Sequence, residues 1–362
     1  MKFYRTKQLG AKFRFWYHQH PKLFWIICSI TILVVAAGLT TFYVLQKPVK
    51  TTVVVKKVEK PKIPAVKYYS PLTGELVASD AATKQAVTGV MIENSPDARP
   101  QSGIKNSGVV FEAIAEGGIT RFLVLYQQQK PQLIGPVRSL RLYDIDWLAA
   151  FDAGIAHVGG SAQALAEIRN GNHRDLDQFF NSGSYWRASD RYSPHNVYTS
   201  FDRLDALNNA KGYTTSTFTG LSRTDGKPVA KPDATDINIT TSSSLYNSSY
   251  IYDAKTNTYA RSQAGAPHID RENGQITPSV VIAIRVDETT ELQDGYREVI
   301  TTTGNGNATI FQNGTAIAAT WHKAAAASQI NFTDSAGKDI LLVRGQTWIS
   351  AVPNNGGDVV WK

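Results

Sequence analysis

Cysteine is almost absent from this chain. Its 362 residues hold one, Cys28, and two methionines. The chain can therefore close no internal disulfide and build no metal centre on paired cysteines. Cys28 lies inside a long apolar run, and the preceding Trp25-Ile26-Ile27 lacks the small residue expected before a lipid-processed cysteine. Also missing are a P-loop, a GxGxxG fingerprint and an HExxH pair, so no common nucleotide or zinc-protease motif is present. No repeat of solenoid period occurs.

Acid is scarce at one end. Residues 1–22 carry Lys2, Arg5, Lys7, Lys12, Arg14 and Lys22 without a carboxylate, and residues 46–67 set seven lysines against Glu59. Each block has a charge of +6, so the formal +8 of the whole chain leaves −4 for residues 68–362. A region of that charge lacks the basic footprint of a nucleic-acid binder, and no nucleic-acid partner is expected.

Between the basic blocks runs Leu23–Leu45, LFWIICSITILVVAAGLTTFYVL, without a charge. As a helix it would span about 34 Å, enough to cross a bilayer. Trp16, Tyr17 and Trp25 at one end and Tyr43 at the other suit interfacial anchors. A cleaved signal peptide would have a shorter apolar run and a small-x-small site, so a retained transmembrane helix over 23–45 is expected. A buried soluble helix would not be apolar on every side. The flanking positive charges tie, so orientation rests on the tendency of long domains to translocate whatever their flanking charge. Residues 1–22 are then a cytoplasmic tail, and everything after the anchor is extracytoplasmic. Pro48, Pro61 and Pro64 make 46–67 an extended spacer. It is either a solvated stalk or a strip that lies on anionic lipid or wall polymer.

The remainder alternates strand and helix patterns. Strands are expected at Val87–Ile92, Gly108–Ala115, Phe122–Tyr126 and Gly154–Val158. Helices are expected at Arg138–Ala150, from Ser161 to Arg169, and at Thr199–Asn209 with a Thr199/Asp202 capping box. That mixture makes 68–215 an α/β or α+β domain. Residues 216–245 are polar and connect it to a smaller β-rich domain over 246–362.

Candidate chemistry gathers where strands end. Glu116 and Arg121 flank the Gly117-Gly118 turn; Arg138 and Arg141 follow Gly135-Pro136; His157 precedes Gly159-Gly160-Ser161; Asp190, Arg191, His195 and Asn196 share one loop. On a helix, Arg138 and Arg141 would share a face. In a slightly acidic domain, convergence of Arg121, Arg138, Arg141 and Arg191 on one cleft suits a phosphate-bearing polyanion, because guanidinium forks match phosphate oxygens. Gly159, Gly160, Ser161 and Asn196 would add donors around it. Glu116, Asp190, His157 and His195 are then candidates for acid–base work or for holding Mg2+. The same residues can also be read as a structural ion-pair network, Glu116 with Arg121 first.

The strings Pro71-Leu72-Thr73-Gly74, Val90-Met91-Ile92-Glu93-Asn94, Ala98-Arg99-Pro100-Gln101-Ser102-Gly103, Glu116-Gly117-Gly118-Ile119-Thr120-Arg121, Gly135-Pro136-Val137-Arg138-Ser139-Leu140-Arg141 and His157-Val158-Gly159-Gly160-Ser161 resemble the YerB-like bacterial lipoprotein family. So do Asp190-Arg191 with Pro194-His195-Asn196, and, further on, Tyr252-Asp253, Tyr259-Ala260-Arg261, Pro267-His268-Ile269-Asp270, Thr320-Trp321 and Gly345-Gln346-Thr347-Trp348-Ile349. The resemblance covers most of 70–362 and implies a bacterial cell-envelope protein. It does not imply a defined activity. An apolar helix stands where that family has a lipidated cysteine. A shorter stretch, strand, Arg-bearing turn, Ala156-x-x-Gly159-Gly160 and helix, is similar to part of the LytR-CpsA-Psr group, which moves glycopolymers from polyprenyl-pyrophosphate carriers. The Arg-Asp of that pattern is not reproduced after Arg138.

Two kinds of function stay open. One is an enzyme, a transferase or hydrolase acting on an envelope glycan or its pyrophosphate linkage. The other is a non-catalytic scaffold that binds wall polymer or wall-synthesis proteins through Tyr250, Tyr252, Tyr259, Trp321 and Trp348.

Overall fold

The structure, a computed structural model, describes residues 2–48, 66–290 and 297–362. Residues 49–65, most of the expected spacer, lie outside the described residues. The chain divides into two compact units, Met1–Pro64 and Ala65–Lys362. The first contains α1 (Lys2–Gln19) and α2 (Pro21–Leu45). None of the residues of α2 is covered by protein. Uncovered and apolar on all sides, it has the length and composition of a bilayer span.

The second unit is organised by a ten-stranded sheet. Strands β1 (Thr88–Glu93), β2 (Val109–Glu116), β3 (Ile119–Tyr126), β4 (Gly154–Ala156) and β5 (Arg174–Asp175) come from the first half. A second, five-stranded sheet contains β6 (Asp236–Thr240), β7 (Ser248–Asp253), β8 (Thr258–Gln263), β9 (Ala266–Pro267) and, from the C-terminus, β15 (Asp358–Trp361). The large sheet is completed by β10 (Val280–Val286), β11 (Gly304–Gln312), β12 (Thr315–Lys323), β13 (Asn331–Thr333) and β14 (Thr347–Pro353). Its order is β13-β12-β11-β10-β14-β2-β3-β1-β4-β5. The join between the halves is the parallel pair β14·β2, with Trp348 opposite Val110 and Ser350 opposite Glu112.

Central strands are buried on both faces, which is why they read as continuous apolar runs rather than alternating ones. Side chains still alternate in direction. Met91, Phe111, Leu123, Leu125, Ile282 and Ile349 face a core shared with helices α3 (Leu142–Ala149) and α4 (Ala162–Asn170). Val90, Ile92, Val110, Phe122, Val124 and Trp348 face a second core shared with α5 (Phe201–Ala210) and the five-stranded sheet. The first half is therefore mixed α/β and the second β-rich, with one sheet running through both.

Three expectations change. The helix expected from Arg138 begins at Leu142 instead. Residues 134–140 are extended: Val137 bridges Ile92, Leu140 bridges Gly160, and the Arg138 N–H donates to the Met91 carbonyl. In extended chain, positions i and i+3 point to opposite sides, so Arg138 and Arg141 part company. The cap of α5 is Ser200, whose hydroxyl accepts from the Arg203 N–H, whereas the Thr199 hydroxyl donates to the Ser184 carbonyl. Finally, Tyr250, Tyr252, Tyr259, Trp321 and Trp348 are core residues, the most exposed of them 8% accessible. They present no aromatic surface to a polymer.

Candidate functional site

Strand β1 ends in a carboxylate. Glu93 follows Val90-Met91-Ile92 and is 3% exposed, an unfavourable place for a charge unless it is partnered. Its Oε1 accepts from the Ser95 hydroxyl at 2.9 Å and lies 2.9 Å from His195 Nδ1 and 3.4 Å from Arg138 Nε. Ser95 Oγ is also 3.3 Å from the same Nδ1. With a carboxylate on Nδ1, the neutral imidazole keeps its hydrogen there and leaves Nε2 bare. Nε2 lies 4.0 Å from Asp97 Oδ2. Because Glu93 and Ser95 both address Nδ1, this is a carboxylate–histidine pair and not a Ser-His-acid triad, which would place the serine at Nε2.

His195 lines an open cleft of about 720 Å³ with Asp97, Arg99, Asp190, Arg191, Tyr192 and Arg271. Three guanidinium groups face two carboxylates. Arg191 donates to the Asp97 and Pro100 carbonyls at 3.1 and 2.6 Å, and Arg99 to the Asn94 and Leu245 carbonyls, each at 2.8 Å. Neutral carbonyls hold these cations in place without cancelling their charge. Arg271 pairs with Asp190 at 2.7 Å, both side chains well exposed. The Arg271 guanidinium hydrogen-bonded to it keeps the Asp190 carboxyl below the ordinary carboxylate range. A solvated pair of this kind is screened by water and contributes little, so a ligand anion can compete for Arg271.

The other expected residues are engaged elsewhere. Arg121 and Arg141, 4% and 5% exposed, both bind Glu116: Arg121 Nη2 at 2.8 Å to Oε1, and Arg141 Nη2 to Oε2. Burial would raise the Glu116 carboxyl, but the two arginines outweigh it and hold it below its ordinary value. Their Nη1 groups donate to the Ser139 and Leu140 carbonyls, respectively. This is the structural ion pair, widened to a triad. His157 is fully buried, with Nδ1 2.8 Å from the Gly159 carbonyl and Nε2 3.1 Å from Asp175 Oδ1. The Gly159 N–H donates to Asp177 Oδ1, Gly160 bridges Leu140, and Ser161 caps α4 by accepting from the Ala164 N–H. Asn196 ties its loop to Arg187 and to the Ala188 and Arg191 carbonyls. The convergence of Arg121, Arg138, Arg141 and Arg191 on one cleft is thus corrected. Only Arg191 lines it; Arg138 answers Glu93, and the other two answer Glu116. Among the described residues, no group of three or more His, Cys, Asp or Glu side chains is placed to hold a metal ion, Mg2+ included.

Glu93, Asp97, Arg99 and Arg271 did not stand out as site residues from spacing. The one local signal was Glu93, a lone charge at the end of an apolar run. A second network beneath the cleft was equally hidden. Arg261, fully buried, donates from Nη2 to Glu112 at 2.8 Å, from Nε to the Tyr250 hydroxyl, and from Nη1 to Gln263 and His268 Nδ1. Glu112 also accepts from Trp348 Nε1 at 2.9 Å. An arginine on Nδ1 leaves His268 its hydrogen on Nε2, which meets Gln101 Oε1 at 3.0 Å. Gln101 Nε2 in turn donates to the Glu93 carbonyl and to Asn94 Oδ1. Burial first, then Arg261 and Arg99, keep the His268 pKa well below its ordinary value. This chain of hydrogen bonds runs from β8 through His268 and Gln101 to the backbone of Glu93, with Glu112 on β2 as a branch from Arg261.

A fold that is mixed α/β in its first half and β-rich in its second, preceded by a helix with the length and composition to cross a bilayer, defines a class of membrane-associated proteins. Within it, the chain belongs to the family described as "Protein of unknown function (DUF3048)": residues 72–214 match its N-terminal domain and 237–349 its C-terminal domain. It is 33% identical over 298 residues to "Putative lipoprotein YerB" of Bacillus subtilis (strain 168), covering 80% of this chain and 88% of that one. A crystal structure of the YerB protein from Bacillus subtilis superposes with a TM-score of 0.73 at 31% identity, covering 81% of this chain and all of that one. The shorter likeness to the LytR-CpsA-Psr group finds no support in these matches.

Proposed function

We propose that residues 65–362 face the outside of the membrane and hold a phosphate-bearing envelope glycan, or the lipid-linked precursor of one, in the cleft around His195. The observation that carries this reading is the convergence of Arg99, Arg191 and Arg271 on an open cleft with two carboxylates, in a region that is acidic overall. Arginine forks suit phosphate oxygens, and the exposed Tyr192 ring beside them offers a face on which a sugar can stack. A helix able to cross a bilayer, Pro21–Leu45, supports action on membrane-borne precursors. The scaffold reading through Tyr250, Tyr252, Tyr259, Trp321 and Trp348 loses its basis with their burial.

The test is titration of the full chain in detergent with poly(glycerol phosphate) and with an uncharged glucan. Binding of the first alone is expected, weakening with salt. Arg191→Ala combined with Arg271→Ala should lower the affinity by at least about tenfold, the loss of one to two charge-assisted hydrogen bonds. Equal binding of the two polymers, or unchanged affinity in the double variant, sinks the reading.

A further inference from the structure

We propose that the cleft is catalytic and that its substrate is a diester of pyrophosphate, cleaved at the P–O–P bridge with His195 as general base. This inference rests on the preceding reading of the cleft. Two features lead to it. The first is the fixed imidazole. Glu93 Oε1 holds Nδ1 at 2.9 Å, Arg138 and Ser95 hold Glu93, and Gln101 holds the Glu93 backbone, so the basic Nε2 is aimed by three successive layers of contact. A histidine that only filled space would not need them. The second is the lack of a matching acid among the groups that line the cleft. Asp190 is ionised against Arg271, Asp97 is 83% exposed, and the remaining charged groups are arginines.

A site with one fixed base and no sheltered acid, its carboxyls and the Tyr192 phenol all open to solvent, is poorly equipped to protonate an alkoxide as it leaves. It can expel a phosphate monoester, which departs as a stable anion. Arg99, Arg191 and Arg271 are then placed for the charge that builds on the bridging and non-bridging oxygens. In the step, the oxygen of water, or of an acceptor hydroxyl, forms a bond to one phosphorus. Its proton passes to His195 Nε2, and the bond from that phosphorus to the bridging oxygen breaks. The electron pair stays on the bridging oxygen, and the second phosphate leaves as a monoester. The imidazolium, stabilised by Glu93, returns its proton to solvent. No oxidant or reductant is required. His195 is the catalytic residue; Glu93 is a positioning residue that acts through it.

The pyrophosphate can reach the site on a lipid or on a nucleotide, and two probes separate these. The full chain in detergent, in buffer containing Mg2+, is given farnesyl-pyrophosphoryl-N-acetylglucosamine or UDP-N-acetylglucosamine. Phosphomonoester products are followed by 31P NMR, and probe binding by calorimetry. Turnover of either probe is expected, and the probe that turns over identifies the carrier. His195→Gln should still bind the same probe and lose on the order of 10²–10⁴-fold in rate, the contribution of a positioned base. Glu93→Gln, checked for native near-UV circular dichroism, should lower kcat and move the acid limb of the pH–rate profile to lower pH. An unmoved limb would leave Glu93 a purely structural part. Binding of a probe without turnover, or wild-type turnover in His195→Gln, overturns the catalytic inference and leaves the binding reading standing. Failure to bind either probe overturns the catalytic inference, while the binding reading stands or falls with the poly(glycerol phosphate) titration.

Discussion

Replacing Arg261 with methionine isolates the buried network that joins the two halves of the large sheet to the five-stranded sheet. Arg261 and Glu112 are 0% and 1% exposed, and the guanidinium also sits 4.3 Å from the centre of the Trp348 ring. Without it, Glu112 Oε2 keeps the indole N–H of Trp348 but no countercharge. Breaking one side of a buried pair typically costs about 3–5 kcal/mol, because the surviving charge is stranded in a medium that solvates it poorly. That is a large share of the roughly 5–15 kcal/mol that holds a domain together. Glu112→Gln should cost a similar amount by stranding Arg261. The double variant removes both charges and should cost well under the sum, with a coupling energy of about 2 kcal/mol or more. The measurement is urea unfolding of residues 65–362 followed by far-UV circular dichroism, with the four free energies closed into a cycle. A double variant that adds to within about 0.5 kcal/mol would show that the two side chains act independently and refute the reasoning.

Two pH dependences follow from other buried groups. His268 is held neutral in the fold by burial and by Arg261, while the unfolded chain takes up a proton near pH 6.5. Stability should therefore fall as pH drops below about 6.5, and His268→Gln should flatten that slope in unfolding titrations between pH 7 and 5. Glu288 runs the other way. Burial, with Glu298 adding repulsion, raises it from 4.5 to about 8, so the folded state keeps a proton that the unfolded state releases. Its contribution is complete below about pH 4.5 and disappears as pH rises towards 8. Glu288→Gln should abolish the decline in thermal midpoint across that interval.

Much of the architecture was legible because it rests on local physics. An uncharged run from Leu23 to Leu45 has the length and composition to cross a bilayer as a helix, which satisfies its backbone internally. Strands β2 and β3 announced themselves as short apolar runs on either side of Gly117-Gly118, whereas β14 did not stand out. Where local signals competed, the reading failed. Leu142, Ile145 and Leu148 have helical spacing, and extending that period back to Arg138 ignored the fact that Val137 pairs with Ile92 and that Leu140 meets Gly160 across the sheet. A sheet hydrogen bond outweighed one more turn of helix. The aromatics of the second half look alike whether they cover a core or face solvent, and only tertiary packing buries them, Trp321 in the first core and Tyr250, Tyr252, Tyr259 and Trp348 in the second.

By itself, then, the sequence determined the anchor, the mixed first half, the β-rich second half and the division of charge between them, since periodicity, length and composition act over neighbouring residues. Tertiary structure decided which arginines are free. Arg121, Arg138 and Arg141 carry the same charge as Arg99, Arg191 and Arg271. The first three meet carboxylates delivered by β1 and by the end of β2, whereas Arg99 and Arg191 donate to carbonyls, Arg99 also lying over the Tyr246 ring, and Arg271 meets the exposed carboxylates of Asp190 and Glu272. Whether a charge is neutralised depends on a partner a few ångströms away in space and often a hundred residues away in sequence, and only the folded chain brings the two together.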